Sequence, residues 1–202
     1  DQLVFKKLGK VMQSIMIIPV FISFTAVQFI VYAYLSSDTG MVNNLFGLST
    51  RWYMEAKYWP AILTIVKIWN GVGYGSVLYM SVLAGIDTQL YEAAEIDGAN
   101  KWQQIAHVTL PSLVPMISIM LLLSVGGMMH SDTGLFYQVT RNSGTLYSTT
   151  QVLDSYVLNA IFKNANYGFT AAATFFQSVV GTAMILLANG IVRKIAPEDA
   201  LF

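Results

Sequence analysis

Apolar and polar positions alternate along this chain in long blocks. Four runs are apolar enough to cross a bilayer as helices, at residues 11–35, 60–86, 111–129 and 169–192. A helix needs ~20 mostly apolar residues to span the hydrocarbon. Pro19 predicts a bend inside the first run. The segment 36–59 is polar and interrupted, and it gathers Trp52, Tyr53, Tyr58 and Trp59. Such rings suit the headgroup level, so an interfacial anchor is expected there ahead of a ligand-stacking site. In 130–168, Leu153, Tyr156, Val157, Ile161 and Phe162 fall on one helical stripe, with Asp154 and Asn159 on the other side. A short helix is expected there, not a loose loop.

The most informative polar block lies at 87–115. Asp87 is a good N-cap, because its carboxylate can accept from backbone N–H groups two or three residues on. Leu90, Ala93, Ala94 and Ile96 give the helix an apolar side, flanked by Glu92 and Glu95. Gly98 permits the turn that ends it. A second short helix is expected from Asn100 towards His107, and Thr109 with Pro111 reads as the entry to the next span. The result is a helix, a turn and a second helix between spans, with an exposed face.

Composition narrows the class. Of 202 residues, 55% are hydrophobic and only 11% charged, against about 25% charged in soluble domains. The bilayer is therefore the expected solvent. Net charge is zero, which argues against nucleic acid as a partner. There is no cysteine, hence no disulfide framework and no thiolate metal site. Lys6, Lys7, Lys10, Lys101, Arg193 and Lys194 fall on one side of the topology, Arg51, Lys57, Arg141 and Lys163 on the other. The positive-inside rule then puts the 87–110 loop in the cytoplasm and 130–168 outside.

Catalysis is not expected. His107 and His130 are the only histidines and fall on opposite faces of that topology. Neither a zinc-protease helix motif nor a serine nucleophile elbow is present, and no catalytic or metal site is assigned. The glycines of Gly71-Val72-Gly73-Tyr74-Gly75 do not form a phosphate loop; close helix contact explains them better. Thr174, Ser178 and Thr182 make a small-residue stripe for helix packing. Lys67 is expected to snorkel outwards. Asn70, Gln177 and Asn189 serve as interhelical glue, or else Trp69, Asn70, Tyr74 and Gln177 line a sugar path. His130, Ser131, Asp132 and Arg141 are either solvated loop polarity or a docking site near the outer mouth.

Glu92-Ala93-Ala94, Gly98 four residues beyond Ala94, and Leu110-Pro111 together resemble the EAA signature of permease subunits of binding-protein-dependent ABC importers. The pattern is E-A-A-x3-G-x9-I-x-L-P, with Val108 here at the Ile position. Asp97-Gly98-Ala99 and the segment 134–156 resemble the sugar branch, although Arg141-Asn142-Ser143-Gly144 replaces a glycine-rich T-G-G-G-P-like turn. The resemblance covers essentially the whole chain and is closest to permeases for oligo- or polysaccharides.

That resemblance implies an all-α, MetI-like helix bundle, multi-pass in the cell membrane. It has four transmembrane helices and a cytoplasmic coupling helix within the 87–110 loop. The chain then reads as one permease domain, a piece of a longer protein that carries about two more spans upstream. Glu92, Ala93, Ala94, Asp97, Gly98, Leu110 and Pro111 are the implied ATPase-coupling residues. Implied partners are a cytoplasmic ABC ATPase dimer, a second and different permease subunit, an extracytoplasmic sugar-binding protein, a carbohydrate substrate and membrane lipid. No cofactor is implied, and ATP hydrolysis belongs to the partner. The alternative is an ATP-independent secondary transporter or channel subunit, a class that more often carries ionisable groups deep in its spans.

Overall fold

The computed structural model describes residues 2–164 and 167–195, and among them the secondary structure is helical throughout, with no strand. Ten α-helices follow one another. They are α1 (Gln2–Ile17), α2 (Phe24–Leu35), α3 (Met41–Phe46), α4 (Trp59–Ala84), α5 (Thr88–Ile96), α6 (Lys101–Gln104), α7 (Leu110–Gly127), α8 (Tyr147–Thr150), α9 (Leu153–Asn164) and α10 (Tyr167–Ile195). Three continuous helical stretches are long and apolar enough to cross a membrane: Ala56–Ala84, Lys101–Gly127 and Tyr167–Lys194. The fourth apolar run is a broken pair, Val11–Phe21 and Phe24–Leu35, meeting at 102°.

The bend expected at Pro19 is present and is sharp enough to break the run into two helices. Pro19 falls within a 3₁₀ turn at Ile18–Phe21, and Ser23 then caps α2 by accepting from the Ala26 N–H. The carbonyl of Pro19 is taken by the Asn70 side chain at 2.7 Å. The Pro19 carbonyl also accepts from the Ile22 N–H at 3.1 Å, so a fresh N-cap and a doubly engaged carbonyl leave the corner's polar groups partnered in apolar surroundings.

Contacts divide the chain into two units, Asp1–Gly73 with His130–Gln177, and Tyr74–Met129 with Ser178–Phe202. The first has a core of Val27, Val31 and Leu35 from α2 against Trp59, Leu63 and Val66 from α4, closed by Leu135, Val139 and Leu146. Spacing of four along α2 is one helical face. Gly73 lets α4 touch α1 here, since a Cβ at that position would stand 1.9 Å from the Met16 carbonyl oxygen. Gly71 and Gly75 meet nothing within 4 Å, so only the middle glycine of the three serves close contact.

The packing of this unit gives three of the singled-out groups a definite setting. Trp59 is fully buried and donates to the Trp52 carbonyl at 2.8 Å, while Trp52 donates to Asn43 at 2.8 Å. The Trp59 ring thus packs inside the unit, while Tyr58 stays exposed. Lys67 reaches Asp132 of the 130–168 segment at 2.7 Å, with its own side chain 55% exposed. In α9 the buried residues are Ser155, Val157 and Asn159, while Tyr156 and Phe162 are exposed. The short helix expected here is present, with Val157 of its apolar stripe and Asn159 of its polar side both covered by the unit.

In the second unit α7 and α10 cross closely. A Cβ at Gly181 would lie 3.2 Å from the Gly126 carbonyl oxygen, and one at Gly126 would strike Ile185. The side of α10 buried by this chain runs through Gln177, Gly181 and Asn189; Thr174, Ser178 and Thr182 are exposed.

Candidate functional site

The 87–110 loop folds as two short helices with every turn accounted for. The Asp87 carboxylate accepts from the Gln89 N–H at 2.9 Å, starting α5 where the sequence placed it. At the other end Gly98 adopts φ +80°. Its N–H donates to Glu95 O at 3.0 Å, and the Ala99 N–H donates to Ala94 O at 2.9 Å. This paired closure satisfies two carbonyls that the helix would otherwise leave bare, and it needs a left-handed residue at the turn. Asn100 and Gln103 then bond each other's backbone N–H groups at 2.8 and 3.0 Å, capping α6.

No residue of α5 is buried. Glu92, Ala93 and Glu95 are exposed; Leu90 is 51% and Ile96 87% exposed, and Trp102 on α6 is 81% exposed. The side turned to the protein is instead that of Tyr91 and Ala94, both half-buried. Ile96 therefore does not share the inward side, as 3.6-residue periodicity would also have it. Glu92 carries no ion pair among the described residues. An exposed surface of large apolar side chains with two carboxylates and a small Ala93 between them suits a protein partner that approaches closely.

The connection to α7 differs from the expected fresh start at Pro111. Helical backbone is continuous across Lys101–Gly127, through a π turn at Ile105–Thr109. The Leu110 N–H reaches back five residues to Ile105 O. That widened turn shifts the register just before Pro111, so the missing N–H and bulky ring are accommodated without a break. Tyr91 Oη and Thr109 Oγ1 share a hydrogen bond of 2.9 Å, joining α5 to the base of this turn. His107 Nδ1 lies 3.0 Å from Gln103 O, and buried Gln104 donates to Ala99 O at 3.3 Å. Leu110 is half exposed beside the turn.

Each of the four residues read as a sugar path has its own local setting. Trp69 is 39% exposed and lines an apolar groove of about 460 Å³ with Val27, Val31 and Ile65. Tyr74 is 59% exposed. Asn70 is engaged by Pro19. Gln177 is 1% exposed and donates to Asp154 at 3.0 Å. Asn70 and Gln177 thus act as fold-holding groups in this conformation.

Sequence reasoning did not find the cluster around Asp154. Its carboxylate accepts from the Ser131 N–H, from Ser131 Oγ at 2.7 Å and from Gln177, with His130 Nδ1 4.0 Å away. Burial pushes this carboxyl up, but the Ser131 and Gln177 hydrogen bonds and the nearby His130 outweigh it and hold it below its ordinary value. Burial pushes the Tyr53 hydroxyl up to about 12, against the opposing charge of Arg141. Among the described residues no group of three or more His, Cys, Asp or Glu is placed to hold a metal.

Residues 3–197 match the family described as the binding-protein-dependent transport system inner membrane component. The chain belongs to this family. It is 27% identical to the polygalacturonan/rhamnogalacturonan transport system permease protein YteP of Bacillus subtilis, covering 94% of this chain and 60% of that protein. It is 30% identical to protein LplB of the same organism, over 92% of this chain and 59% of the relative. The chain thus spans about three-fifths of the length of these relatives. Among solved structures, a bacterial ABC transporter that imports the acidic polysaccharide alginate superposes with TM-score 0.87 at 30% identity, over 95% of this chain and 68% of its own. A second structure of such a transporter, with an alginate pentasaccharide-bound periplasmic protein, gives 0.86 at 31% identity, over 94% of this chain and 67% of its own. The MetI-like, all-α permease fold read from the EAA spacing is the fold of this family member, an inner-membrane component.

Proposed function

We propose that this chain is the translocating permease subunit of an ATP-driven carbohydrate importer, with α5 as the coupling helix of its cytoplasmic 87–110 loop. The carrying observation is that α5 is wholly unburied yet capped at both ends and bonded through Tyr91 to the π turn below α7. A rigid, exposed lever on the end of a span is what transmission from a moving partner requires. Glu92 offers charge to a basic residue of a cytoplasmic ATPase, Ala93 keeps the exposed surface low, and Ala94 lets α5 lie close to its own protein. Asp97 and Gly98 shape the turn, and Leu110 and Pro111 fix where the push enters the span. ATP is hydrolysed by the ATPase pair, not by this chain.

A second permease subunit, different in sequence, completes the pathway, and an extracytoplasmic binding protein delivers the sugar. Relatives named for polysaccharides support carbohydrate as cargo. Trp69 and Tyr74, with exposed aromatic faces, are the path residues we retain. Asn70 and Gln177 support the path through the backbone and Asp154 contacts described above. The test is co-expression of the complete transporter. Glu92→Arg or Gly98→Pro should abolish ATPase co-purification and ATP-dependent uptake while membrane insertion survives; normal uptake in both variants would refute the coupling role.

A further inference from the structure

Within the first unit, Arg141 and Asn142 have φ of +55° and +48°, and neither is glycine. Side chains rarely occupy two successive left-handed positions unless the surroundings hold them there. Here the hold is visible. Asn142 and Asn159 exchange amide hydrogen bonds of 2.7 and 3.0 Å, and Tyr147 Oη donates to Asn142 Oδ1 at 2.8 Å. Asn159 is itself only 8% exposed. The strained corner serves to display the residue before it. Arg141 is exposed, its guanidinium centred 4.3 Å from the Tyr32 ring, and it has no ion-pair partner among the described residues.

Two polar grooves flank that guanidinium. One, of about 360 Å³, includes Asp38, which disfavours an anion on that side. The other, of about 550 Å³, is lined by Thr25, Gln28, Tyr137, Gln138, Arg141 and Asn142 and contains no carboxylate. Thr25 Oγ1 donates to Gln138 Oε1 at 3.1 Å, so the carbonyl half of that amide is engaged and its NH2 half has no partner among the described residues. An arginine fork, amide donors, hydroxyls and a tyrosine ring in one acid-free groove match a sugar ring that bears a carboxylate. The fork can take both carboxylate oxygens, while amides and hydroxyls take ring hydroxyls.

We propose that the Thr25–Gln28–Tyr137–Gln138–Arg141 groove is a subsite for an anionic glycan unit, with Arg141 selecting a uronate carboxylate over a neutral sugar. The proposal rests on the carbohydrate reading above. It adds charge selection at a position outside the α4 path residues.

Binding should be measured on the complete detergent-purified transporter, without the binding protein. The probes are trigalacturonate and its fully methyl-esterified, neutral form. Wild-type protein should prefer the acid, with affinity falling as salt rises. Arg141→Gln should weaken trigalacturonate about tenfold or more and leave the ester unchanged, while Arg141→Lys should recover part of the loss. Gln138→Ala, which leaves the corner intact, should weaken both probes several-fold. Equal wild-type affinity for the two probes, or unchanged trigalacturonate binding in Arg141→Gln, would overturn the proposal. So would loss only of binding-protein-stimulated ATPase activity in that variant, which would make the groove a protein dock. Absence of ATP-driven sugar uptake by the wild type would instead sink the importer reading, and this binding readout is independent of it.

Discussion

Tyr91 and Thr109 lie eighteen residues apart, yet their hydroxyl oxygens are 2.9 Å apart. The bond ties the exposed α5 to the π turn from which α7 rises. Tyr91→Phe keeps the ring and removes the bond, worth about 0.5–1.5 kcal/mol. The expected outcome is an intact complex that still hydrolyses ATP but transports less sugar per ATP, by roughly two- to tenfold. Parallel ATPase and uptake assays in proteoliposomes check this; unchanged coupling would show the bond to be incidental.

Gly98 holds φ +80° with open space where a side chain would be. The cost of Gly98→Ala is therefore backbone strain alone, about 1–2 kcal/mol, and no clash accompanies it. The α5 terminus should fray, weakening ATPase co-purification while leaving the melting temperature of the membrane body nearly unchanged. Gly98→Asn, a residue that tolerates the left-handed region, should recover much of the loss.

Gly73 and its neighbours separate close packing from composition. Gly73→Ala would force a Cβ to 1.9 Å from the Met16 carbonyl oxygen, and backbone cannot yield as a side chain can. A loss of at least about 1–3 kcal/mol is expected, seen as a lower melting temperature and poor yield in detergent. Gly71→Ala and Gly75→Ala meet nothing within 4 Å and should be close to neutral for folding. Equal damage from all three would contradict the assigned crossing.

How far the residues announced this architecture depends on which partner each one needed. The caps of α5 and α6 were legible because Asp87, Gly98 and Asn100 satisfy backbone groups within a few positions of themselves. The membrane-spanning helices were legible from apolar length, and the MetI-like fold from the resemblance carried by Glu92-Ala93-Ala94, Gly98 and Leu110-Pro111. A bend at Pro19 was legible too, but its 102° sharpness was not, since that corner involves Asn70 from a distant helix. The helix α9 was legible from its apolar stripe, but which of its residues would be covered was not, because periodicity does not say what meets each side. The Asp154 cluster joins residues 131, 154 and 177, so no local spacing could reveal it. The same holds for Arg141, whose setting is made by Asn159 and Tyr147.

Asp154 also gives a pH dependence of definite sign. Its folded carboxyl titrates below the unfolded value of about 3.9. A depressed acid contributes stability that is complete above the unfolded value and is lost as pH falls through the folded one. Asp154→Asn should therefore be less stable than wild type at neutral pH, with the difference shrinking below about pH 4. Thermal melts of the purified protein across that window test it; a constant difference would assign the effect to packing.

The account turns on α5 meeting an ATPase inside the cell. These 202 residues contain no cysteine, so Ala93→Cys, with any cysteines elsewhere in the transporter replaced, places a single thiol on the exposed side of that helix. Short-range cross-linking in inverted membranes carrying the complete transporter should join position 93 to the ATPase subunit, with a yield that changes on ATP binding. Labelling of that thiol by a membrane-impermeant reagent added to intact cells, with no ATPase adduct, would contradict the account.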